Sequence, residues 1–102
     1  MGKGNILIID DEIDILNTLK ELLQEHAQDI YLAASGPEGI QILKEKDVQC
    51  VICDVKMPQL NGVEVIKQVR AMGNEVPFIF FTGHGSHELM MEVVKYGVFD
   101  FL

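Results

Sequence analysis

Short apolar segments alternate with amphipathic segments along the whole chain, and this alternation restricts the possible folds. The apolar runs occupy residues 5–9, 30–34, 48–54, 77–82 and 98–102. The segments between them, at 12–26, 35–46, 61–73 and 86–96, space their apolar residues as one face of a helix does. Strands that alternate with helices of this length predict right-handed βαβ units and a parallel sheet, so the expected fold class is α/β.

Local signals mark where two of these helices begin. Ser35 precedes Pro37 and Glu38 in the pattern of a capping box, and Asn61 offers an N-cap with Glu64 at the third helical position. The expected inward-facing residues are Ile15, Leu16, Leu19, Leu22 and Leu23 in the first helix and Val65, Ile66, Val69 and Met72 in the third.

Length and charge narrow the function classes. The chain has 102 residues, which suits one compact domain over residues 1–102. Its 16 acidic and 8 basic residues give a net charge of −8, which argues against a nucleic-acid surface and favours a bound cation or a basic protein partner.

No apolar stretch approaches the roughly 20 residues of a membrane span, and the first residues lack the apolar centre of a signal peptide, so we expect a cytoplasmic protein.

Cys50 and Cys53 form a C-x-x-C pair inside the third apolar run. Redox and zinc pairs normally lie at turns or helix starts, whereas residues three apart on a strand point to opposite faces. We therefore expect two buried core thiols rather than a redox or metal pair.

Polar side chains stand at the carboxyl ends of three predicted strands. Asp10, Asp11 and Glu12 follow the first strand, Asp54 ends the third, and Thr82 ends the fourth. In the flavodoxin-like strand order 2-1-3-4-5, these three strands are neighbours. Asp10, Asp11 and Asp54 would then converge on one small pocket, with the Thr82 hydroxyl at its edge.

The crowding of these carboxylates requires a counter-charge, because close acids raise one another's pKa. Mg²⁺ takes oxygen ligands and keeps several waters, so the cluster is a candidate magnesium site. The alternative is that Asp10 and Asp11 only begin a helix, where acids interact favourably with the positive end of the helix dipole. Glu12 and Asp14 are expected to do only that.

Four blocks of the sequence, taken in order, resemble one protein family. LIIDDE, VICDVKMPQLNG, PFIFFTGHG and YGVFDFL are similar to the receiver (CheY-like) domain of two-component response regulators. The resemblance spans essentially the whole chain, and the acid pair, the D-x-x-M-P…G loop and the T-G strand end are specific in combination. TGHG and GVFDFL are most like receivers attached to transcriptional activators.

The resemblance implies a signalling role rather than that of a turnover enzyme. Asp54 would accept a phosphoryl group from the histidine of a sensor kinase. Mg²⁺ would be held directly by Asp11, Asp54 and the backbone carbonyl of Lys56, while Asp10 would act largely through water. Thr82 would donate a hydrogen bond to a phosphoryl oxygen.

The family also implies a switch and an output surface. Movement of Thr82 toward the phosphoryl group would vacate space for Phe101, whose alternative role is core packing. Lys56 and His84 would modulate the lifetime of the acyl phosphate, and an exposed loop histidine is the alternative for His84. The fourth helix and fifth strand would form the docking face for an output domain or a downstream protein. Off its inward stripe, that helix carries Leu89, Met91 and Tyr96.

The chain departs from the family at its end. Receivers carry a lysine followed by a proline just after the fifth strand, and this sequence stops at Leu102, before that lysine and before the last helix. We expect a fragment that lacks the last helix. The alternatives are a natural truncation and a partner chain that covers the open sheet face, as a homodimer or a swapped dimer.

Other functions compete with phosphoryl transfer. A receiver-like interaction module would signal by association alone; the absent lysine favours it, whereas the acid triad and Thr82 argue against it. A haloacid-dehalogenase-type phosphatase needs a second acid two residues after its nucleophile, where Lys56 stands. A nucleotide or flavin site needs a glycine-rich or hydroxyl-rich turn after the first strand, whereas this turn is acidic.

Overall fold

A parallel sheet with helices on both faces is the architecture of the computed structural model, which describes residues 3–81 and the backbone of residues 100–101. In chain order the elements are β1 (Ile6–Ile9), α1 (Ile13–Leu23), β2 (Ile30–Ala33), α2 (Gly36–Glu45), β3 (Cys50–Asp54), α3 (Gly62–Ala71), β4 (Phe78–Phe81) and β5 (Asp100–Phe101). All four strand pairings are parallel, and the strand order is β2-β1-β3-β4-β5. The predicted flavodoxin-like order is therefore confirmed.

Within residues 3–81, the two faces of the sheet are covered to different extents. Alternate strand residues point to opposite faces, so Leu7 and Val51 lie under α2 and α3, where both are fully buried. Ile8 and Ile52 point to the other face and pack with Leu16 of α1. Around this smaller cluster the surrounding apolar side chains are only partly buried. The larger core therefore lies on the α2 and α3 side.

Hydrogen bonds at the helix starts follow the sequence signals with one difference. The Asn61 side chain accepts from the amide of Glu64 at 3.0 Å, and the Glu64 carboxylate accepts from the amide of Asn61 at 3.1 Å. At α2, Ser35 accepts from the amide of Glu38 at 3.3 Å, but the Glu38 carboxylate accepts from the amide of Ala34. The capping box is thus complete at α3, and at α2 the returning bond is shifted by one residue.

Two residues that we expected to face inward are exposed. Leu22 is 67% exposed, because at 3.6 residues per turn it lies about 120° around α1 from the buried Leu16. Met72 is 41% exposed, since α3 ends at Ala71 and the helical spacing stops there. The prediction for these two side chains is wrong, whereas Val65, Ile66 and Val69 are fully buried as predicted.

The two cysteines occupy the strand positions that the sequence indicates. Cys53 is fully buried in the core beneath α2 and α3, and Cys50 is half-buried. Both are free thiols. Burial of a thiol raises its pKa, and the pKa of Cys53 is raised well above its ordinary value, with the nearby charges of Asp54 and Asp10 adding to the effect.

No helix among the described residues is long and apolar enough to cross a membrane. The predicted helix at residues 86–96, which carries the expected docking face, lies outside the described residues.

Candidate metal centre

The strand register brings three acids from distant parts of the chain together. Ile9 of β1 pairs with Cys53 of β3, so the next residues, Asp10 and Asp54, stand side by side at the carboxyl ends of these strands. With Asp11 they form a group in which each residue offers one carboxylate oxygen, and these oxygens lie within 4.8 Å of one another. The structure thus places the three predicted acids at one site.

Asp10 is the most deeply placed of these acids. It is 2% exposed, and its Oδ1 accepts a hydrogen bond from the amide of Glu12 at 2.9 Å. The pKa of Asp10 is raised from 3.8 to about 6, with burial as the largest cause; the Glu12 hydrogen bond lowers it, and the charge of Asp54 and the hydrogen bond and charge of Asp11 raise it. Desolvation is therefore the main cost of ionising this carboxyl group, and repulsion between the acids is a secondary one.

Asp10 and Asp11 both precede the N-cap of the helix that follows them. The helix α1 begins at Ile13, and the side chain of its N-cap residue, Glu12, forms no cap hydrogen bond. Asp10 instead closes a local turn by accepting from the Glu12 amide. Asp14 does lie in the first turn, where an acid interacts favourably with the helix dipole.

Asp54 ends β3 as a half-buried residue at the edge of the site. Its Oδ1 accepts from the amide of Lys56 at 3.2 Å, which orients the carboxylate. Burial raises the pKa of Asp54, the Lys56 amide lowers it, and the charges of Asp11 and Glu12 raise it, with a smaller lowering by the Val55 amide. The pKa of Asp54 is therefore raised, as is that of Asp10.

An open pocket lies over the acids on the solvent side. Its volume is about 460 Å³, which is far more than the roughly 30 Å³ share of one water molecule in the liquid. The pocket is lined by Asp11, Glu12, Asp54, Lys56, Met57 and Pro58. The space admits a hydrated ion together with a group the size of phosphate.

The loop after β3 is anchored by alternate side chains. Val55 and Met57 are 0% and 7% exposed and belong to the core under α2 and α3, whereas Lys56 between them is exposed. The strand alternation thus continues past Asp54 and fixes the backbone at Lys56. The alternation of apolar Val55 and Met57 with charged Lys56 is visible in the sequence. Only the D-x-x-M-P resemblance, however, directed attention to this loop.

Two further contacts near Asp54 are not apparent from the sequence. The Cys53 thiol donates to the backbone oxygen of Asp54 at 3.3 Å, and the Gly62 amide donates to the backbone oxygen of Val55 at 2.8 Å. Both depend on how β3 and α3 pack, for which the local sequence carries no signal.

Three predicted residues fall partly or wholly outside the described part of the chain. Thr82 and His84 lie outside it, as does the side chain of Phe101. The neighbouring register is described: Phe81 of β4 pairs with Asp54 of β3, so Thr82 is the next residue after the partner of Asp54.

Known proteins share both the sequence pattern and the fold. Residues 6–102 match the family described as the response regulator receiver domain. The transcriptional regulatory protein ZraR of Salmonella typhimurium is 32% identical over 101 residues, which make up 99% of this chain and 23% of that protein. The transcriptional regulatory protein FixJ of Bradyrhizobium diazoefficiens is 34% identical over 100 residues, covering 98% of this chain and 49% of that protein. The chain thus spans less than half the length of these two relatives.

A solved structure agrees closely with the described fold. The crystal structure of a response regulator receiver domain protein from Clostridium thermocellum has a TM-score of 0.89 at 34% identity, and the match covers 97% of this chain and 80% of that one. The family match and the similarity to this solved structure therefore lead to the same assignment. The chain belongs to the response regulator receiver domain family of two-component signalling proteins.

Proposed function

We propose that this domain accepts a phosphoryl group on Asp54 from the histidine of a sensor kinase, in the presence of Mg²⁺, and thereby controls an output domain or a downstream protein. The observation that carries the proposal is the cluster of Asp10, Asp11 and Asp54, whose oxygens lie within 4.8 Å of one another beneath an open pocket. The domain would assist only its own phosphorylation and dephosphorylation, as a cytoplasmic signalling protein rather than a turnover enzyme.

The donor set suits a hard divalent cation. Carboxylate and carbonyl oxygens are the ligands that Mg²⁺ prefers, and a site with one or two carboxylates leaves room for water and a phosphate oxygen. Asp11 and Asp54 line the pocket and would bind the ion directly together with the Lys56 carbonyl. Asp10, which is buried beneath them, would act through water. Bound Mg²⁺ supplies the charge neutralisation that phosphoryl transfer requires.

The chemistry assigned to the chain itself is nucleophilic attack by a carboxylate. An oxygen of Asp54 forms a bond to phosphorus as the phosphorus–nitrogen bond to the kinase histidine breaks, giving an acyl phosphate and a free imidazole. The Lys56 amide holds Oδ1 of Asp54 and so fixes the direction of the carboxylate. Thr82, next after the register partner of Asp54, would donate a hydrogen bond to a phosphoryl oxygen.

The output is proposed to be transcriptional. Both relatives described above are named as transcriptional regulatory proteins. The change would pass from Thr82 to Phe101 and on to the face formed by residues 86–96 and β5, with Lys56 and His84 setting the lifetime of the acyl phosphate. A homodimer or a swapped dimer, in which a partner chain covers the open sheet face, is a further expectation.

Mass spectrometry of the intact protein tests the proposal. The full-length protein is incubated with Mg²⁺ and acetyl phosphate, and we expect the addition of one phosphate that Asp54→Asn abolishes and EDTA suppresses. Asp47→Asn, which changes an exposed acid outside the cluster, serves as the matched control and should be phosphorylated normally. The proposal fails if the wild-type protein gains no phosphate or if Asp54→Asn gains as much.

A further inference from the structure

The first residue of α3 lies directly against the backbone of the proposed phosphoacceptor. Gly62 is buried, and a Cβ added to it would lie 2.8 Å from the carbonyl oxygen of Asp54, 3.0 Å from Cα of Val55 and 2.7 Å from Cε1 of Phe80. Ordinary van der Waals contacts of such an atom are 3.4–4 Å. The helix can therefore approach β3 this closely only because residue 62 has no side chain.

The atoms that face Gly62 are held firmly in place. The Val55 amide donates to the backbone oxygen of Phe81 at 3.2 Å, and the Gly62 amide donates to the oxygen of Val55 at 2.8 Å. Phe80 is fully buried, and its ring stacks on Phe78 with the centroids 5.5 Å apart. Because two of the three neighbours are backbone atoms and the third is a packed core ring, none of them can give way easily.

The start of α3 is itself a fixed support. The complete capping box between Asn61 and Glu64 holds the first turn. Its first residue, Gly62, lies close to the backbone of Asp54 and Val55, while the Asp54 carboxylate contributes to the acid cluster. The segment carries both the nucleophile and the Lys56 carbonyl, which is an expected ligand of the ion.

We propose that Gly62 is a positioning residue that sets the distance between α3 and the end of β3, and thereby the placement of the Asp54 carboxylate and the Lys56 carbonyl. The inference rests on the proposed function of Asp54. A methyl group at residue 62 would have to move from 2.8 to at least 3.4 Å from the Asp54 oxygen, a displacement of about 0.6 Å. Since a misplacement of about 1 Å can slow a positioned reaction about 100-fold, we expect Gly62→Ala to slow phosphorylation by about 10-fold or more.

A second crowded glycine provides the matched control. A Cβ on Gly36, at the start of α2, would lie 2.9 Å from the backbone oxygen of Leu60 and 2.9 Å from Cγ2 of Val65. Gly36→Ala therefore introduces a similar clash on the α2 side of the start of α3, but it adds no atom against the backbone of Asp54 and Val55. We expect it to lower the Tm as much as Gly62→Ala does and to slow phosphorylation clearly less than Gly62→Ala does, because the Asp54 backbone is not contacted directly.

Three measurements on the full-length protein test the proposal: the Tm, the rate of phosphorylation by acetyl phosphate, and the Mg²⁺ dissociation constant from an NMR titration that follows the amides of Val55 and Lys56. Gly62→Ala is expected to shift these two amide signals and to raise the Mg²⁺ dissociation constant by about 3-fold or more. Equal slowing in Gly36→Ala and Gly62→Ala would overturn the proposal, as would a wild-type rate in Gly62→Ala. If wild type itself takes up no phosphate, the proposed function fails, and the amide shifts and Mg²⁺ affinities alone decide on the positioning role.

Asn61→Ala keeps the proposal testable if Gly62→Ala does not fold. This variant retains the glycine and removes the side chain that accepts from the Glu64 amide, so the first turn loosens without a new clash. We expect Asn61→Ala to slow phosphorylation by about 2- to 5-fold. The corresponding α2 variant, Ser35→Ala, is expected to be phosphorylated at the wild-type rate. A rate equal to that of wild type would contradict the positioning role.

Discussion

Asp10 and Asp54 stand at adjacent positions of two hydrogen-bonded strands, one residue beyond the paired Ile9 and Cys53, with carboxylate oxygens within 4.8 Å of each other. The burial of Asp10 and the half-burial of Asp54 raise the pKa of both groups. The pair is therefore electrostatically unfavourable without a counter-ion, and this property has consequences that can be measured with no kinase and no phosphodonor.

Stability should fall with rising pH when divalent cations are absent. The pKa of Asp10 rises from 3.8 to about 6 on folding, so between these values the folded protein holds more protons than the unfolded chain. Asp10 then contributes stability below its unfolded pKa that is lost as the pH rises toward 6, by at most about 3 kcal/mol at 1.36 kcal/mol per pKa unit. Asp54 contributes in the same direction.

Urea unfolding across this pH range, in EDTA, measures the effect. Asp10→Asn keeps an oxygen that can accept from the Glu12 amide but does not titrate, so it is the matched variant. The stability difference between wild type and Asp10→Asn should grow in favour of the variant as the pH rises from about 4 to 6. A difference that is independent of pH would contradict the assigned pKa.

Mg²⁺ should stabilise the protein through the acids and not through the Lys56 side chain. A ligand that binds the folded state raises the Tm. Asp11→Asn removes a negative charge from the pocket lining, so this variant should lose most of the rise in Tm that Mg²⁺ causes. Lys56→Ala retains the backbone carbonyl and should keep its Mg²⁺ affinity within about 3-fold of wild type, since only a nearby positive charge is removed. Thermal melts over a Mg²⁺ series measure both, and a large loss in Lys56→Ala would argue against ligation by its carbonyl.

Loss of the α3 cap should cost more than loss of the α2 cap. Asn61→Ala removes one side of a complete capping box and is expected to lower the free energy of unfolding by about 1 kcal/mol. Ser35→Ala removes a longer hydrogen bond of 3.3 Å in a box that does not close on residue 35, so a smaller loss is expected. Chemical unfolding of both variants tests this order, and equal losses or a larger loss in Ser35→Ala would contradict control of these helix starts by the capping geometry.

Arg70 should stabilise the connection between α3 and β4. Its Nη1 donates to the backbone oxygens of Asn74 and Val76 at 3.2 and 2.9 Å, and its guanidinium lies 5.5 Å from the centre of the Phe78 ring. Arg70→Ala is expected to lower the free energy of unfolding by about 1–3 kcal/mol.

Arg70→Lys is the informative comparison, because an ammonium group keeps the positive charge but lacks the planar guanidinium that lies over the Phe78 ring and presents its N–H donors in a fixed geometry. It should recover less than half of the stability lost in Arg70→Ala, while phosphorylation is unchanged in both variants. Full recovery in the lysine variant would show that charge alone is sufficient at residue 70.

The order of the elements and the meeting of the acids are predictable because both follow from period and topology. Apolar runs alternate with helical stripes, and in a parallel sheet the residues after neighbouring strands converge at one edge. Leu22 and Met72 were predicted incorrectly for a local reason: one lies at the side of its stripe and the other beyond the last helical residue. Helix ends and stripe margins depend on packing that a single sequence does not display.

The difference in burial between the acids of the cluster is less accessible to sequence reasoning. Asp10 and Asp11 are adjacent and chemically identical, yet Asp10 is 2% exposed and Asp11 is exposed. The difference arises because the Asp10 amide still bonds to the backbone oxygen of Ala33, which keeps Asp10 within the sheet. The support of Asp54 by Gly62 is likewise a contact between elements, and no local pattern specifies it.

Chemical trapping of the phosphorylated residue tests the central claim most directly. The protein is incubated with Mg²⁺ and acetyl phosphate, the acyl phosphate is reduced with borohydride, and the peptides are sequenced by tandem mass spectrometry. Our account predicts that residue 54 alone is converted to homoserine, and only in samples that contain Mg²⁺. Homoserine at Asp10 or Asp11, or at no residue in wild-type protein, would contradict it.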